Sequence, residues 1–409
     1  MPSRMVIVMQ KELFEVALGI EKPVFIEEIS FDKEIGELHL HMNFERGGRF
    51  CCSECGEEGL RVHDTTQKTW QHLNFWQYKT FIHFRTPRVK CKKCGERLWV
   101  PPWGRKNSGF TLLFEAFTLE LAKHMNVLEI AEIMGITDKR TFRVIKHWVN
   151  KSREKKDFSA VKDMGVDETS SKKGHNYITT FIDIRSGDVM FATPRRDAKT
   201  IENFAEFIKT PEQIEEVTMD MSPAFIAGAR DFLPNASITF DKFHVVKLMN
   251  EAVDKVRRME QKENPLLLKH TRYIWLKNPE KLTEKQTKKM KSLAKENLKT
   301  ARAYQIKRTL QDIYRYIKEP KAAELAFEKL ISWMRRCRIE PIKALVSTFL
   351  NHKEGILRYF DSRLTSGIME GTNSRIQEVK RRAKGYRNTD NFITMIYLVC
   401  GGLDLSVPT

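Results

Sequence analysis

Two cysteine pairs, Cys52-x-x-Cys55 and Cys91-x-x-Cys94, put four thiolates on two tight turns, the spacing in which one tetrahedral Zn²⁺ takes two ligands from each knuckle. Gly56 and Gly95 follow the pairs and free the chain to turn back beneath a metal, so that backbone amides can reach the sulfurs. The 35 residues between the pairs suit a ribbon carrying a hairpin. His63, His72 and His83 lie in that interval and could replace a ligand, but four cysteines already close the shell. A closed shell has no open position for substrate, so this zinc is expected to be structural. Cys51, Cys337 and Cys400 read as ordinary thiols, and the overall cysteine usage suits a reducing compartment better than a disulfide framework.

A second set of residues could do catalysis. Asp167 follows Gly165-Val166 in a strand-like stretch, and Glu168 beside it must point to the opposite face, so only one of the two can face a site. Asp220 interrupts an apolar strand between Met219 and Met221, at the C-terminal end where open sheets put their ligands. Glu370 starts a helix over 369–384, and Asn373 lies one turn on along the same face, placed to orient a metal-bound water or phosphate. Arg375, Lys380, Arg381, Arg382 and Lys384 follow as cations for a DNA strand. Hard oxygen ligands with cations beside them suit phosphoryl transfer assisted by two Mg²⁺ or Mn²⁺ ions. A lone Asp or Glu is usually a solvated charge or a helix cap, so the argument rests on three at element ends in this order. Glu168, Asp183 and Glu378 are set aside as decoys.

Lys and Arg total 71 against 53 Asp and Glu, a formal charge of +18 that draws polyanions and makes double-stranded DNA the expected partner. No apolar run reaches the roughly 18 residues of a membrane span and no lipidation signal is visible. The start, MPSRMVIVMQKELFEV, lacks the apolar core and cleavage site of a secretory signal. A cytoplasmic, nucleoid-associated protein is therefore expected.

With 409 residues the chain should hold several domains. Residues 1–50 show short alternating apolar runs, such as Leu38, Leu40 and Met42, which suggest a small β-rich lead into the cysteine region. From 107 to about 155 the period turns helical, with Phe114, Phe117, Leu121, Ile130 and Ile133 as the stripe. Within it, residues 127–149 read as a helix-turn-helix: Ile130, Ala131, Ile133 and Met134 on the first helix, a turn at Gly135-Ile136-Thr137, and Thr137 as N-cap. The second helix turns Phe142, Ile145 and Val149 inward and leaves Lys139, Arg140, Arg143 and Lys146 for phosphates or base edges. A plain helical hairpin with a solvated basic face would share this pattern; the glycine turn and the ribbon upstream favour DNA.

Beyond a polar break at KSREKKD come three strands, at Gly165 onward, His175–Ile184 and Val189–Thr193, with Ser186-Gly187-Asp188 as a turn. A helix near 198–209, a strand Val217–Met221, a helix near 223–231 and a strand Ser237–Phe240 follow, the order of a ribonuclease H-like fold. Residues 251–350 look entirely helical, broken at Asn278-Pro279 and Glu319-Pro320, and carry 25 Lys and Arg against 12 Asp and Glu. Their aromatics, Tyr273, Trp275, Tyr304, Tyr314, Tyr316 and Trp333, could stack on DNA or pack between helices. A last helix begins near Ser366-Gly367. The expected fold class is multidomain α+β, divided as 1–106, a zinc ribbon; 107–158, a helix-turn-helix; 159–250, the first part of a ribonuclease H-like core; 251–355, an all-helical basic insertion; and 356–409, the second part of that core.

The segments GVDETSSKKGHNYITTFIDIRSGDV, TMDMSPAFI, TFDKFHVVKLMNEAVDKVRR and SGIMEGTNSRIQEVKRRAKGYRN resemble the DDE transposases of bacterial insertion sequences, specifically the ISL-three family, and the likeness covers nearly the whole chain. The resemblance implies a ribonuclease H-like core in which Asp167, Asp220 and Glu370 bind the metals, and an all-helical insertion between the second Asp and the Glu. Asp241-Lys-Phe-His244 resembles a D-x-x-H signature of transposases with such insertions. Two readings of it stand: His244 contacts a DNA strand near the site, or Asp241 caps the next helix and His244 packs locally.

The expected function is recognition of the terminal inverted repeats of an insertion sequence, followed by Mg²⁺-dependent strand cleavage and strand transfer. Cutting two ends calls for a homodimer or higher oligomer on DNA. The rivals are a sequence-specific DNA-binding regulator with a non-catalytic ribonuclease H-like module, and a nuclease that cuts without joining.

Overall fold

The computed structural model describes residues 4–172, 174, 176–364 and 367–407, with residues 4–10 described by backbone alone. His175 and Ser366, where the sequence put the starts of a strand and a helix, lie outside the described residues. The chain divides into two compact units, Met1–Lys155 with Leu403–Thr409, and Lys156–Gly402.

The first unit opens with a helix that the alternating pattern did not announce, α1 (Arg4–Ala17). Strands β1 (Val24–Asp32), β2 (Glu37–Phe44), β3 (Arg49–Phe50), β4 (Leu60–Phe75), β5 (Tyr78–Cys91) and β6 (Gly95–Leu98) form a sheet ordered β1-β2-β5-β4-β3, with β6 on β5. Leu38, Leu40 and Met42 point into its core beside Trp70, Ile82, Phe84 and Trp103, as their alternation required. β4 and β5 form the long hairpin between the cysteine pairs.

Helices α2 (Leu112–His124), α3 (Val127–Met134) and α4 (Asp138–Lys155) complete the unit. Asn126 caps α3 by accepting from the amides of Leu128 and Glu129, Gly135 ends it at φ 63°, and Thr137 Oγ1 accepts from the Arg140 amide at the start of α4. The apolar stripe needs correction. Phe114 and Ile130 are buried but Phe117 and Ile133 are exposed, and on α4 the core positions are Val144, Ile145, Trp148 and Val149, with Phe142 only half-buried. Two threonines take buried places instead, because Thr118 donates to the Phe114 carbonyl at 2.8 Å and Thr141 to the Thr137 carbonyl at 3.1 Å, which satisfies their hydroxyls within the helix.

The second unit holds β7 (Asp163–Lys172), β8 (Asn176–Asp183), β9 (Val189–Pro194), α5 (Ala198–Ile208), β10 (Glu216–Met219), α6 (Pro223–Phe232) and β11 (Ser237–Phe240), in the expected order. The sheet runs β11-β10-β7-β8-β9: β7, β8 and β9 are an antiparallel meander, and β10 and β11 lie parallel to β7. Met164 and Val166 face a core with Ile201 and Phe204 of α5.

The chain then stays helical from α7 (Lys242–Glu263) through α8 (Pro265–Leu268), α9 (Arg272–Leu276), α10 (Glu284–Leu293), α11 (Lys299–Tyr316), α12 (Pro320–Arg336), α13 (Glu340–Lys343), α14 (Leu345–Asn351) and α15 (Lys353–Ser362). The buried Glu260 carboxylate accepts from the amides of Lys299 and Thr300, capping α11 where its dipole favours negative charge. Trp275 and Tyr304 pack in this core, whereas Tyr273 and Tyr316 are exposed, so packing between helices accounts for the first two and not for the other two. Helices α16 (Gly367–Arg382) and α17 (Thr389–Cys400) finish the unit.

Candidate functional site

In the first unit, one ligand atom from each of Cys52, Cys55, Cys91 and Cys94 lies within 4.8 Å of the others. Tetrahedral zinc–thiolate bonding sets sulfurs roughly 3.8 Å apart, and the Cys55 and Cys91 sulfurs are at 3.6 Å. Gly56 and Gly95 adopt φ 74° and 77°, the left-handed turns expected beneath each pair. The Cys52 thiol is lowered to about 7, first by the Cys55 amide and next by that of Glu54, whereas Cys94 is pushed up to about 12, first by Cys55. Crowded thiols of which some are drawn toward the thiolate are a donor set that a dication satisfies. None of the intervening histidines joins them: His63 pairs with Glu96, His72 bonds Thr111, and His83 bonds His39 and Thr69.

Next to the ribbon, Gln71 Nε2 donates to the Met134 carbonyl and the Thr111 amide to the Gln71 carbonyl, so β4 is hydrogen-bonded to the start of α2 and to the end of α3. Lys139, Arg140 and Arg143 on α4 are exposed and Lys146 is half-buried. Arg140 is partly spoken for, since its guanidinium lies 4.3 Å from the Phe110 ring centroid.

In the second unit the acids are arranged by strand register. Glu216 pairs with Asp163 on one side and with Ser237 on the other. Continuing that register past the strand ends puts Asp220 level with Asp167, and Asp241 level with Asp220. Parallel partners face the same way, so three aspartates form a row across three neighbouring strands, midway along β7 and just past the C-terminal ends of β10 and β11. The Asp241 amide still donates to the Met219 carbonyl at 3.0 Å, which keeps the row in step.

Helix α16 lies along β7. Met369 sits against Gly165, where an added Cβ would collide with its sulfur, Asn373 donates to the Asp167 carboxylate, Gln377 donates to Thr169 Oγ1, and Lys380 donates to the Ser170 carbonyl at 2.5 Å. Glu370 occupies the turn before Asn373 and is exposed. Among the described residues the four cysteines are the one group of metal-binding type drawn within 4.8 Å, so Asp167, Asp220 and Glu370 do not form so tight a cluster. Arg375 donates to the Val399 carbonyl, while Arg381 projects into solvent.

Burial raises Asp167 to about 6, and the Asp241 charge adds to that, against the pull of the Glu168 amide, His244 and Asn373. His244 is raised, first by its hydrogen bond to Asp241 at 3.2 Å, then by the charges of Asp241, Asp220 and Asp167. Asp241 also caps α7, its Oδ1 accepting from the Phe243 amide at 3.0 Å, so the cap and the place in the row coexist. The Asn373 Oδ1 is buried with no hydrogen-bond partner among the described residues. Clustered carboxylates, one held well above the usual range, beside an orphaned amide oxygen are hard-oxygen donors suited to divalent cations and their waters.

The decoys behave unevenly. Asp183 caps the turn through Ser186 and the Arg185 amide, and Glu378 pairs with Arg382. Glu168, on the far face from Asn373, is raised by burial and by Asp220 and pairs with Arg196 at 3.4 Å, closer to the acids than its strand parity suggested. Arg196, whose guanidinium also covers the Tyr177 ring, was not singled out from the sequence; the Arg195-Arg196 pair between β9 and α5 was its only signal.

A four-thiol ribbon joined to a helix-turn-helix, with a row of acids on a mixed sheet, defines a DNA-binding protein of the transposase class. Residues 164–396 match a family described as a transposase, residues 48–94 the zinc finger of the transposases of IS204, IS1001, IS1096 and IS1165, and residues 100–149 the helix-turn-helix domain of transposase family ISL3. The chain belongs to the ISL3 family of insertion-sequence transposases. It is 27% identical, over 97% of both chains, to the transposase for insertion sequence element IS1557 of Mycobacterium tuberculosis. It is also 27% identical to the transposase for IS1001 of Bordetella parapertussis, covering 84% of this chain and 87% of that one. No helix among the described residues is long and apolar enough to cross a membrane.

Proposed function

We propose that this protein binds the terminal inverted repeats of an insertion sequence, hydrolyses the phosphodiester at each end and uses the freed 3′-hydroxyls to attack target DNA. The observation that carries this reading is the row of Asp167 and Asp220 with α16, the Glu370 helix, fastened to it through Asn373. Asp167, Asp220 and Glu370 would hold two Mg²⁺ or Mn²⁺ ions, which would supply activation of the attacking oxygen and charge neutralisation at the leaving oxygen. Asn373 fixes the Asp167 carboxylate, and its own Oδ1 is left without a partner among the described residues. Asp241 and His244 act as auxiliary groups, the histidine hydrogen-bonded to Asp241 beside the acid row.

The ribbon would stiffen the DNA-binding unit around one zinc, and Lys139, Arg140, Arg143 and Lys146 would face the end sequence. Lys380, Arg381 and Arg375 would guide the strand past α16. The sheet of the second unit, with α16, would be the ribonuclease H-like core, and residues 251–355 its all-helical insertion; the ribbon would fill 1–106, the helix-turn-helix 107–158, and the core 159–250 and 356–409. Two copies would act together on DNA, on the nucleoid in the cytoplasm.

An oligonucleotide carrying the element's end, incubated with Mg²⁺, tests this reading. Joined products are expected; hydrolysis alone would make the protein a nuclease, and binding without any product would make it a regulator.

A further inference from the structure

Immediately after Asp241 the chain lines a cavity of about 390 Å³ between the start of α7 and one face of α11. Lys242, Phe243 and Asn250 form one wall, and Arg308, Tyr314 and Arg315 the other. Phe243 is 50% exposed although its neighbours Asp241 and Val245 are buried, so the core does not account for its ring. The Tyr314 hydroxyl and Asn250 Oδ1 are buried and have no hydrogen-bond partner among the described residues. Buried polar atoms left unpaired are costly, which points to something that reaches them.

The charges of the cavity are nearly balanced. Arg308 pairs with Asp312 and Arg315 with Glu280, while Lys242 has no carboxylate partner among the described residues and lies 3.4 Å from the Tyr359 hydroxyl. Three cations against two carboxylates leave one positive charge, a match for one phosphodiester and too little for a duplex backbone. An exposed aromatic face, hydrogen-bonding atoms deeper in and one surplus cation are the complement of a single nucleotide: ring, base edge and phosphate. The volume lies near the lower end of small-ligand pockets, which start at roughly 300 Å³. Lys242, which lines the cavity, follows Asp241 directly, so the cavity opens beside the acid row.

We infer that this cavity receives one unpaired nucleotide of the bound DNA, extruded from the helix next to the phosphate to be cut, with its base on Phe243, its edge toward Tyr314 and Asn250, and its phosphate at Lys242. This rests on the transposase reading above. Pulling one nucleotide out frees the neighbouring phosphate from the regular backbone and fixes its register against the acids. The unstacking energy of the duplex is recovered on the phenyl ring.

The test uses the full chain, with zinc, and end duplexes in Ca²⁺, each lacking one base near the cleavage position. On intact DNA, Phe243→Ala should weaken binding roughly 5- to 150-fold; on the duplex abasic at one particular position that penalty should vanish, and Phe243→Trp should behave as wild type. In wild type, 2-aminopurine at that position should brighten on binding. Lys242→Gln, at the phosphate end, should weaken intact and abasic duplexes alike and flatten the salt dependence by about one phosphate contact. A Phe243→Ala penalty that is absent, or equal on every abasic duplex, overturns the inference and leaves the transposase reading standing if the ends are still bound and joined. Failure of wild type to bind the ends overturns both.

Discussion

Asn373, in the second turn of α16, donates its amide to the Asp167 carboxylate on β7 across 206 residues of sequence. That bond is one of the influences holding Asp167 below where burial alone would put it. Asn373→Ala should therefore raise Asp167 further above 6 and move the acid limb of the pH–rate profile upward, with cleavage falling roughly 10- to 100-fold, the usual cost of losing a metal-site partner. Unchanged DNA affinity measured alongside would separate this from misfolding, and an unmoved acid limb would count against the role given to Asn373.

Asp167 carries a stability cost as well. Its folded value of about 6 lies above the ordinary 3.8, so the folded state holds the proton more tightly. Stability should then fall as pH rises from about 4 to about 6 and stay level above, a loss of up to about 3 kcal/mol at ~1.4 kcal/mol per pH unit. In Mg²⁺-free buffer at pH 7.5, Asp167→Asn should raise the melting temperature of the second unit by several degrees while abolishing cleavage. Melting curves at pH 4 and 7.5 check this, since the advantage should shrink at the lower pH.

The close approach of α16 depends on a missing side chain. At Gly165 a Cβ would overlap the Met369 sulfur, and the helix would have to move. Gly165→Ala should cost about 1–3 kcal/mol and lower cleavage by displacing Asn373 from Asp167. Pairing it with Met369→Ala should recover part of both losses in urea unfolding and cleavage assays; if the double variant is no better than the single, packing at this contact is not what sets the geometry.

Zinc should matter to recognition and not to chemistry. Cys52→Ser, or a strong chelator, should release the metal, loosen the β4–β5 hairpin base and weaken binding to end DNA, because β4 is hydrogen-bonded to the helix-turn-helix through Gln71. Metal analysis with circular dichroism and a binding titration checks it. Full affinity in a zinc-free protein would remove the ribbon from the recognition surface.

Much of this architecture is legible from residue order. Strands β7 to β11 announce themselves because each apolar run is short and ends at a turn residue, and the cysteine spacing names its own chemistry. What is lost is whatever depends on contacts distant in sequence. Asp241 joins the row through a parallel register no local pattern encodes, and α16 finds β7 through the fit of Met369 to Gly165. Helix α1 was missed because an apolar run such as Met5–Met9 fits strand and helix alike. Phe117 and Ile133 misled because apolar periodicity assumes that polar residues stay outside, whereas Thr118 and Thr141 are buried at no hydrogen-bonding cost.

The pairing of β7 with α16 also bears on how such an enzyme is made. Asp167, Asp220 and Asp241 leave the ribosome together, but the helix that locks onto them follows only about 130 residues later. A nascent or prematurely terminated chain thus holds its acids without Asn373 and Glu370. Until that helix has emerged, the acid row lacks the amide that fixes Asp167.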